Sequence, residues 1–425
     1  MGVRAKNRKR NPFNPNSPID PHYFAGRSEE IDIIVTALNQ TRHGSQQNVL
    51  VTGERGIGKS SLAHLARFIG KEPQQRLGTE CRFATAYYTL DKGDRISDCC
   101  QGVIEKINTE VRQSLTRKFF QKLREMDVSL KLSLPFVGAA ELGSKRSGRD
   151  NVDPEKMQRQ FVRVIEALWD DLSEQGFNSV LLIMDELNKI HDKENLGAFF
   201  KKISEELVSD ECRNVMIFAV GLPWLEGKIA DDDASAVRAF QHVTLGAMLE
   251  DEREEIISKA LAGCAVTIDA QAQQELSNWS GGFPYFLQQM CFDSFEADTD
   301  AHIDIEDVYS GVWKSMKQFE RMFFGKVVRE VEGKNYQKIL ESLAQTDEPE
   351  GMPQAELQRA SGVKGVGQYL PKLKKDGIIT SPKDRHYKLV SQAFALYIQI
   401  QGRLGRWRKD AETQAAAARD TQKAE

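Results

Sequence analysis

The run Gly53-Glu54-Arg55-Gly56-Ile57-Gly58-Lys59-Ser60 has the spacing G-x-x-x-x-G-K-[ST] of a phosphate-binding loop. Its glycines let successive backbone N–H groups curl around phosphate oxygens at the positive end of the helix that follows. Lys59 is placed to bridge the β- and γ-phosphates of a nucleotide such as ATP, and the Ser60 hydroxyl to meet Mg²⁺. Glu54, Arg55, Ile57 and Ser61 travel with the loop as positions bordering the phosphates. Asn48 to Thr52 reads as a short buried strand, and Leu62, Leu65, Ala66 and Ile69 recur at the spacing of an amphipathic helix. Strand, loop and helix therefore follow in the order the chemistry needs.

Mg²⁺ takes few protein ligands and keeps several waters, so a carboxylate is expected elsewhere in the chain. Ser179-Val-Leu-Leu-Ile-Met-Asp185-Glu186 supplies one, as an apolar run ending in two acids. That is the pattern of a central parallel strand whose carboxyl end opens on a ligand. Asp185 is expected to hold Mg²⁺ or its water, and Glu186 to orient and activate an attacking water as general base. A chance glycine-rich turn and a surface helix cap are the alternatives for the two motifs taken singly.

These residues need rigid elements to hold them, and the chain is long enough to provide several. With 425 residues and 40% hydrophobic content it can build two or three cores, which excludes collagenous and wholly disordered classes. Six cysteines, Cys81, Cys99, Cys100, Cys212, Cys264 and Cys291, include no C-x-x-C pair, so reduced core thiols in a reducing cytoplasm are expected rather than a disulfide framework or zinc site. No apolar stretch approaches eighteen residues and the N-terminus lacks an apolar signal core, so neither a membrane span nor a secretory signal is expected. A net charge of -4 argues against a wholly basic nucleic-acid binder. The basic start Arg4, Lys6, Arg8, Lys9 and Arg10 reads as a solvated tail or as a nucleic-acid arm.

The expected organisation is a flexible basic and proline-rich tail over 1–22, then an ATPase core over 23–248. Ser28 is the expected N-cap of a helix over Ile31 to Leu38, Arg82 to Leu90 a second strand, and Arg95 to Lys122 one long helix. An insertion at about 127–150 shows period-two alternation, with Val128, Leu130, Leu132 and Leu134 apolar, and predicts a β-hairpin. A basic loop, Gly143 to Arg149, and a helix capped by Asp153 follow. Asn195 to Val208 reads as a helix, and Asn214 to Val220 and Phe240 to Leu245 as strands. This β-α-β-α order predicts a three-layer α/β fold with a parallel sheet and the nucleotide at the strands' carboxyl ends. A helical lid is expected over 249–325 and a flexible tail over 402–425.

The region 326–401 has its own rhythm: helices at Tyr336 to Leu343, Pro353 to Ala360 and Val366 to Lys375, then a hairpin of Gly377 to Thr380 and His386 to Val390. Three helices and a wing suggest a winged helix-turn-helix. Its cations Lys364, Lys372, Lys374, Lys375, Lys383, Arg385 and Lys388 make double-stranded DNA one expected partner, although lysine-rich faces are commonly only solvated. A homo-oligomer or a protein partner is the other expectation, with the winged helix acting as an intramolecular latch. No substrate-phosphorylation motif supports a metabolic kinase.

Phe24-Ala-Gly26-Arg27, the phosphate loop, Asp185-Glu186 and Gly281-Gly-Phe-Pro284-Tyr-Phe together resemble the AAA+ and STAND-type P-loop ATPases, in the initiator-like branch of origin-recognition and archaeal ATPases that ends in a winged helix. The resemblance covers roughly 23–400. It implies that Gly26 and Arg27 border the adenine end of the nucleotide and that Pro284 in the lid is a nucleotide contact. It makes Arg238 the position of an arginine finger reaching a neighbouring subunit, against the alternative of a local ion pair with Asp231 to Asp233. Gly221-Leu-Pro223 stands where many relatives carry a polar γ-phosphate sensor, and no arginine lies between Gly281 and Gln289, so neither sensor is expected. The glycine pair Gly281-Gly282 also fits a plain helix cap.

Overall fold

Strands β1 (Asn48–Gly53), β2 (Phe83–Thr89), β3 (Ser179–Asp185), β4 (Val215–Gly221) and β5 (Phe240–Leu245) form one all-parallel sheet in the order β2-β3-β4-β1-β5. The computed structural model describes residues 10–71, 82–125, 154–209, 212–330, 333–346 and 348–406. Every residue of β1, β3 and β4 is buried, as continuous apolar runs require when a parallel sheet is covered on both faces. The fold is α/β, as expected. Register sets the functional edge: Thr52 pairs with Gly221, and Thr89 with Asp185, so the carboxyl ends of neighbouring strands finish level.

Helices α1 (Ser28–Arg42), α2 (Lys59–Lys71), α3 (Ile96–Val111), α4 (Arg117–Glu125), α5 (Pro154–Ser173), α6 (Leu196–Ser209) and α7 (Trp224–Asp232) alternate with these strands. The single helix expected over 95–122 is broken between α3 and α4. The buried Asp171 carboxylate draws the connecting turn inward by accepting from the Thr116 backbone N at 2.9 Å and from the Thr116 hydroxyl. Ser28 is the first helical residue of α1 rather than its cap. The chain enters α1 through Gly26 and Arg27, both with left-handed backbone (φ 71° and 62°). Asn195 does cap α6, its Oδ1 accepting from Ala198 N at 2.7 Å. The hairpin expected over 127–150, the basic loop Gly143 to Arg149, the Asp153 cap and residues 4–9 of the basic start lie outside the described residues.

The described residues divide into two compact units, one of 18–53 and 58–246, the other of 10–17, 54–57 and 247–406. The second contains α8 (Glu250–Ala262), α9 (Ala270–Ser280), α10 (Pro284–Ala297) and α11 (Ile305–Phe319), with the small parallel pair β6 (Thr267–Ile268) and β7 (His302–Ile303). A π-helical turn, Glu320–Phe324, leads into α12 (Gly325–Glu330). Beyond it lie α13 (Lys334–Leu343), α14 (Gln354–Ser361) and α15 (Leu370–Lys375), with an antiparallel sheet of β8 (Met352–Pro353), β10 (His386–Leu389) and β9 (Ile379–Thr380). The helix expected over 366–375 is a 3₁₀ turn, Val366–Gln368, followed by α15. Pro371 has no N–H to give, so a continuous helix cannot run through it.

A last helix, α16, runs over 392–406, past the end expected at 401. The proline-rich lead-in is not free throughout. Phe13 is only 2% exposed, and Asn11 Nδ2 donates to Phe292 O on α10 at 3.1 Å, so an apolar ring anchors this stretch. Cys99, Cys100, Cys212 and Cys291 are buried free thiols and Cys264 is a partly buried one, in line with the reduced core cysteines expected. Among the described residues no helix is long and apolar enough to cross a membrane.

One buried polar residue ties β1 to β4 and α6 at the end of the sheet away from the phosphate loop. Asn48 donates from Nδ2 to Ser204 Oγ of α6 at 3.1 Å, and its Oδ1 accepts from Ile217 N of β4 at 2.9 Å. Asn48→Ala leaves that strand amide buried without a partner and is expected to lower unfolding stability by about 1 to 3 kcal/mol in denaturant titration. An unchanged midpoint would show that the pair carries no net stability.

Candidate active site

The phosphate loop is built on two left-handed glycines, Gly56 (φ 80°) and Gly58 (φ 102°), after which Lys59 opens α2. A side chain at either position would be strained, which is the structural reason for glycine at 56 and 58. Lys59 is 7% exposed, and its Nζ donates to Gly53 O at the end of β1 at 2.9 Å. Its charge is thus held against the loop's own carbonyl. Ser61 is turned aside, its Oγ accepting from Ile19 N at 3.3 Å, and Arg55 is exposed. Ile57 is buried.

At the end of β3, Asp185 is 3% exposed and fully engaged. Its Oδ2 accepts from Ser60 Oγ at 2.8 Å and from Tyr87 OH at 2.7 Å, and its Oδ1 accepts from Glu186 N at 2.8 Å. The sequence pairing of Ser60 with Asp185 is therefore realised in space. Tyr87 was not foreseen: its place is set by strand pairing, with Thr89 of β2 level with Asp185 of β3, and no local motif marks it. Burial first, and the Asp185 carboxylate second, push the Tyr87 phenol well above its ordinary value, so it stays a proton donor. His64, one turn beyond Ser60, stacks on the Tyr87 ring at 4.3 Å between centroids. Burial, then the Arg67 guanidinium, lower the His64 pKa against the opposing pull of Asp185.

Glu186 follows the strand with left-handed backbone (φ 61°), a conformation rare for a non-glycine residue and found where a site over-determines it. Its Oε2 accepts from Asn188 Nδ2 at 3.3 Å and lies 3.7 Å from Lys189 Nζ. The carboxylate is held one residue beyond Asp185 without sharing its partners. The oxygen-only set of Ser60 and Asp185 fits Mg²⁺, which prefers hard oxygen ligands and leaves the rest of its shell to water and phosphate. Those two residues would hold it.

Other expected site residues have structural employment. Arg27 is buried, its guanidinium donating to Gly246 O at 2.5 Å and to Glu30 at 3.1 Å, which ties the start of α1 to the chain just past β5. Gly221 cannot carry a sensor without rearrangement, because an added Cβ would lie 2.4 Å from Leu225 Cδ2. Arg238 sits exposed on a 3₁₀ turn, Ala236–Ala239, and has no ion-pair partner among the described residues. The alternative pair with Asp231 to Asp233 is not formed, since Asp232 meets Lys228 and Asp233 meets Lys201.

In the second unit, Gly281 ends α9 and Pro284 is the first residue of α10, so the cap reading of the glycine pair holds. Gly282 is pressed against backbone, with an added Cβ 2.8 Å from Met248 N. Tyr285 N donates to Gly56 O at 3.1 Å, and the Glu54 carboxylate faces the start of α16, accepting from Gln392 N at 2.9 Å. Lys364, Lys372, Lys374, Lys375, Lys383 and Arg385 are all exposed. Lys383 pairs with Glu350 at 2.8 Å, and Lys372 lies over the Tyr336 ring.

Residues 23–205 match the AAA ATPase domain family, and the parallel five-stranded core with its Ser60–Asp185 pair agrees with that match. Among solved structures the chain is similar to the Walker-type ATPase of Pyrococcus abyssi (TM-score 0.50, 15% identity, covering 88% of this chain and 96% of that one). It is also similar to the ORC2 protein of Aeropyrum pernix in its ADPNP–ADP complexes (TM-score 0.54, 14% identity, 94% and 98% covered) and in its ADP form (TM-score 0.54, 14% identity, 93% and 97% covered). At these identities the likeness establishes the fold. No curated protein matches by sequence.

Tyr87→Phe removes one of the two hydroxyls on Asp185 Oδ2 while keeping the ring stacked on His64. It is expected to change the Mg²⁺ concentration that half-saturates ATP hydrolysis by roughly 10- to 100-fold, the scale of one hydrogen bond to a charged group. A metal dependence identical to wild type would show that Tyr87 does not position the carboxylate.

Proposed function

We propose that this AAA-type P-loop ATPase is a Mg²⁺-dependent switch that couples its nucleotide state to double-stranded DNA through a winged helix formed by 333–390. The observation that carries the nucleotide half is the Ser60–Asp185 hydrogen bond beneath a glycine loop, with Glu186 held separately. Ser60 and Asp185 would hold Mg²⁺, which would supply charge neutralisation at the phosphate oxygens. Lys59 bridges the terminal phosphates, the loop amides hold their oxygens, and the Glu186 carboxylate orients a water in line with the γ-phosphate and takes its proton.

The DNA half is supported by the three helices and three-stranded sheet of 333–390, together with exposed Lys372, Lys374 and Lys375 on α15 and Lys383 and Arg385 at the β9–β10 turn. Such cations contact phosphates and release counterions, so binding falls steeply with salt. In this reading 249–325 is the lid, and Arg238, exposed and without an ion-pair partner among the described residues, completes the site of a neighbouring subunit.

A second reading has one observation in its favour. The Glu54 carboxylate of the phosphate loop accepts from the first amides of α16, which suits a C-terminal region acting as an intramolecular latch in a regulator of a protein assembly, with no DNA involved.

Steady-state ATP hydrolysis during titration with duplex DNA separates the two, with Lys59→Ala as the blank. Stimulation that fades with added salt, and that is lost when Lys372, Lys374 and Lys375 are reversed to Glu, is the expected result. Turnover indifferent to DNA, or unaffected by the triple reversal, would discard the DNA reading in favour of the protein-assembly regulator.

A further inference from the structure

A glutamate in a loop that must bind anionic phosphates is an electrostatic liability, and Glu54 occupies the second position of this one. Its carboxylate is consumed by α16. Oε2 accepts from Ser391 Oγ at 3.0 Å and from Ala393 N at 3.3 Å, while Oε1 accepts from Gln392 N at 2.9 Å. Ser391 Oγ in turn accepts from Phe394 N at 3.2 Å. The first three amides of α16, which no helix can satisfy internally, are thus shared between one serine cap and one carboxylate from more than three hundred residues away in sequence. The positive end of the helix dipole stabilises that negative charge.

Two further contacts bear on the same crest of the loop. Gly56 O accepts from Tyr285 N at 3.1 Å, and an added Cβ on Gly56 would lie 3.1 Å from Tyr285 Cβ. The Tyr285 ring meets Phe323 at 5.0 Å, and the π-helical turn that carries Phe323 places its neighbour Phe324 against Phe394 (5.1 Å) and Tyr397 (4.8 Å) of α16. The loop crest, the start of α10, the π turn and the first turns of α16 therefore form one continuous packed set inside a single compact unit.

We propose that Glu54 is a positioning residue: by capping α16 it holds residues 54–57 in the conformation from which the following Gly58, Lys59 and Ser60 receive phosphate, and so links nucleotide occupancy to the order of the C-terminal helix. The inference deepens the ATPase reading and rests on it. A loop fixed before the ligand arrives binds it with less ordering cost, and linkage requires that nucleotide strengthen the cap by the same factor that the cap strengthens nucleotide binding.

The test is hydrogen exchange on the full chain with and without Mg-ATP, alongside steady-state kinetics, for wild type, Glu54→Ala, Glu54→Gln and Ser391→Ala. Without nucleotide, Glu54→Ala is expected to speed exchange in the 391–397 peptide. Glu54→Gln, which keeps one acceptor oxygen but not the charge, should fall between it and wild type. With ATP, the wild-type 391–397 peptide should slow further and that of Glu54→Ala should not. KM for ATP is expected to rise by roughly 5- to 10-fold in Glu54→Ala with kcat retained, the scale of one lost helix cap. Wild-type exchange at 391–397 in Glu54→Ala, or a wild-type KM, overturns the proposal. ATP protection at 53–61 with none at 391–397 overturns it while leaving the ATPase reading intact. Absence of ATP protection at 53–61 in wild type overturns both.

Discussion

The hydrogen bond from Ser60 Oγ to Asp185 Oδ2 is the contact on which the catalytic architecture turns. It depends on how β1 and β3, separated in the sheet by β4, are aligned with each other. The parallel register sets Asp185 beside Val220 of β4 and Val51 of β1, two residues short of the end of β1 at Gly53, and the buried apolar runs of the strands hold that register. Asn48 secures the far end of the same strands by tying β1 to β4 and α6. The core is thus less a container for the site than the ruler that aligns its two halves.

Electrostatics then sorts the charges that alignment brings together. Three donors face Asp185, so neither of its buried carboxylate oxygens is left unpaired. Tyr87 stays protonated and His64, with its pKa lowered, adds little positive charge beside it. Glu186 is set apart by its left-handed backbone and by Asn188 and Lys189, and Glu54 is drawn off by the N-terminus of α16. Glu54 and Glu186, two of the three motif carboxylates, are therefore each engaged by partners other than those of Asp185.

How much of this the sequence discloses depends on the range of the interaction. Phosphate-loop glycines, Lys59, Ser60 and the Asp185-Glu186 pair are local patterns with a chemical reason for each position, and the alternating strands and helices of the core are equally local. Tyr87 is invisible without strand pairing, since only its register opposite β3 gives it a role. The partners of Glu54 lie at 391–393, so a residue that reads as part of a phosphate cradle turns out to be a helix cap. The bond of the Arg27 guanidinium to Gly246 is also tertiary, and Gly246 lies too far along the chain for a local motif to announce it. The break between α3 and α4 likewise rests on Asp171, a residue of α5 that no helical periodicity in 95–122 could reveal.

The central claim is that Lys59 holds the nucleotide and that Ser60 and Asp185 jointly hold its Mg²⁺. Equilibrium binding of a fluorescent ATP analogue, with Mg²⁺ and with excess EDTA, addresses it directly in wild type, Lys59→Ala and Asp185→Asn. The account predicts that wild type binds more tightly with Mg²⁺, that Asp185→Asn binds but loses the Mg²⁺ increment, and that Lys59→Ala binds poorly in both conditions. Affinity in Lys59→Ala equal to wild type, or a full Mg²⁺ increment in Asp185→Asn, would contradict it.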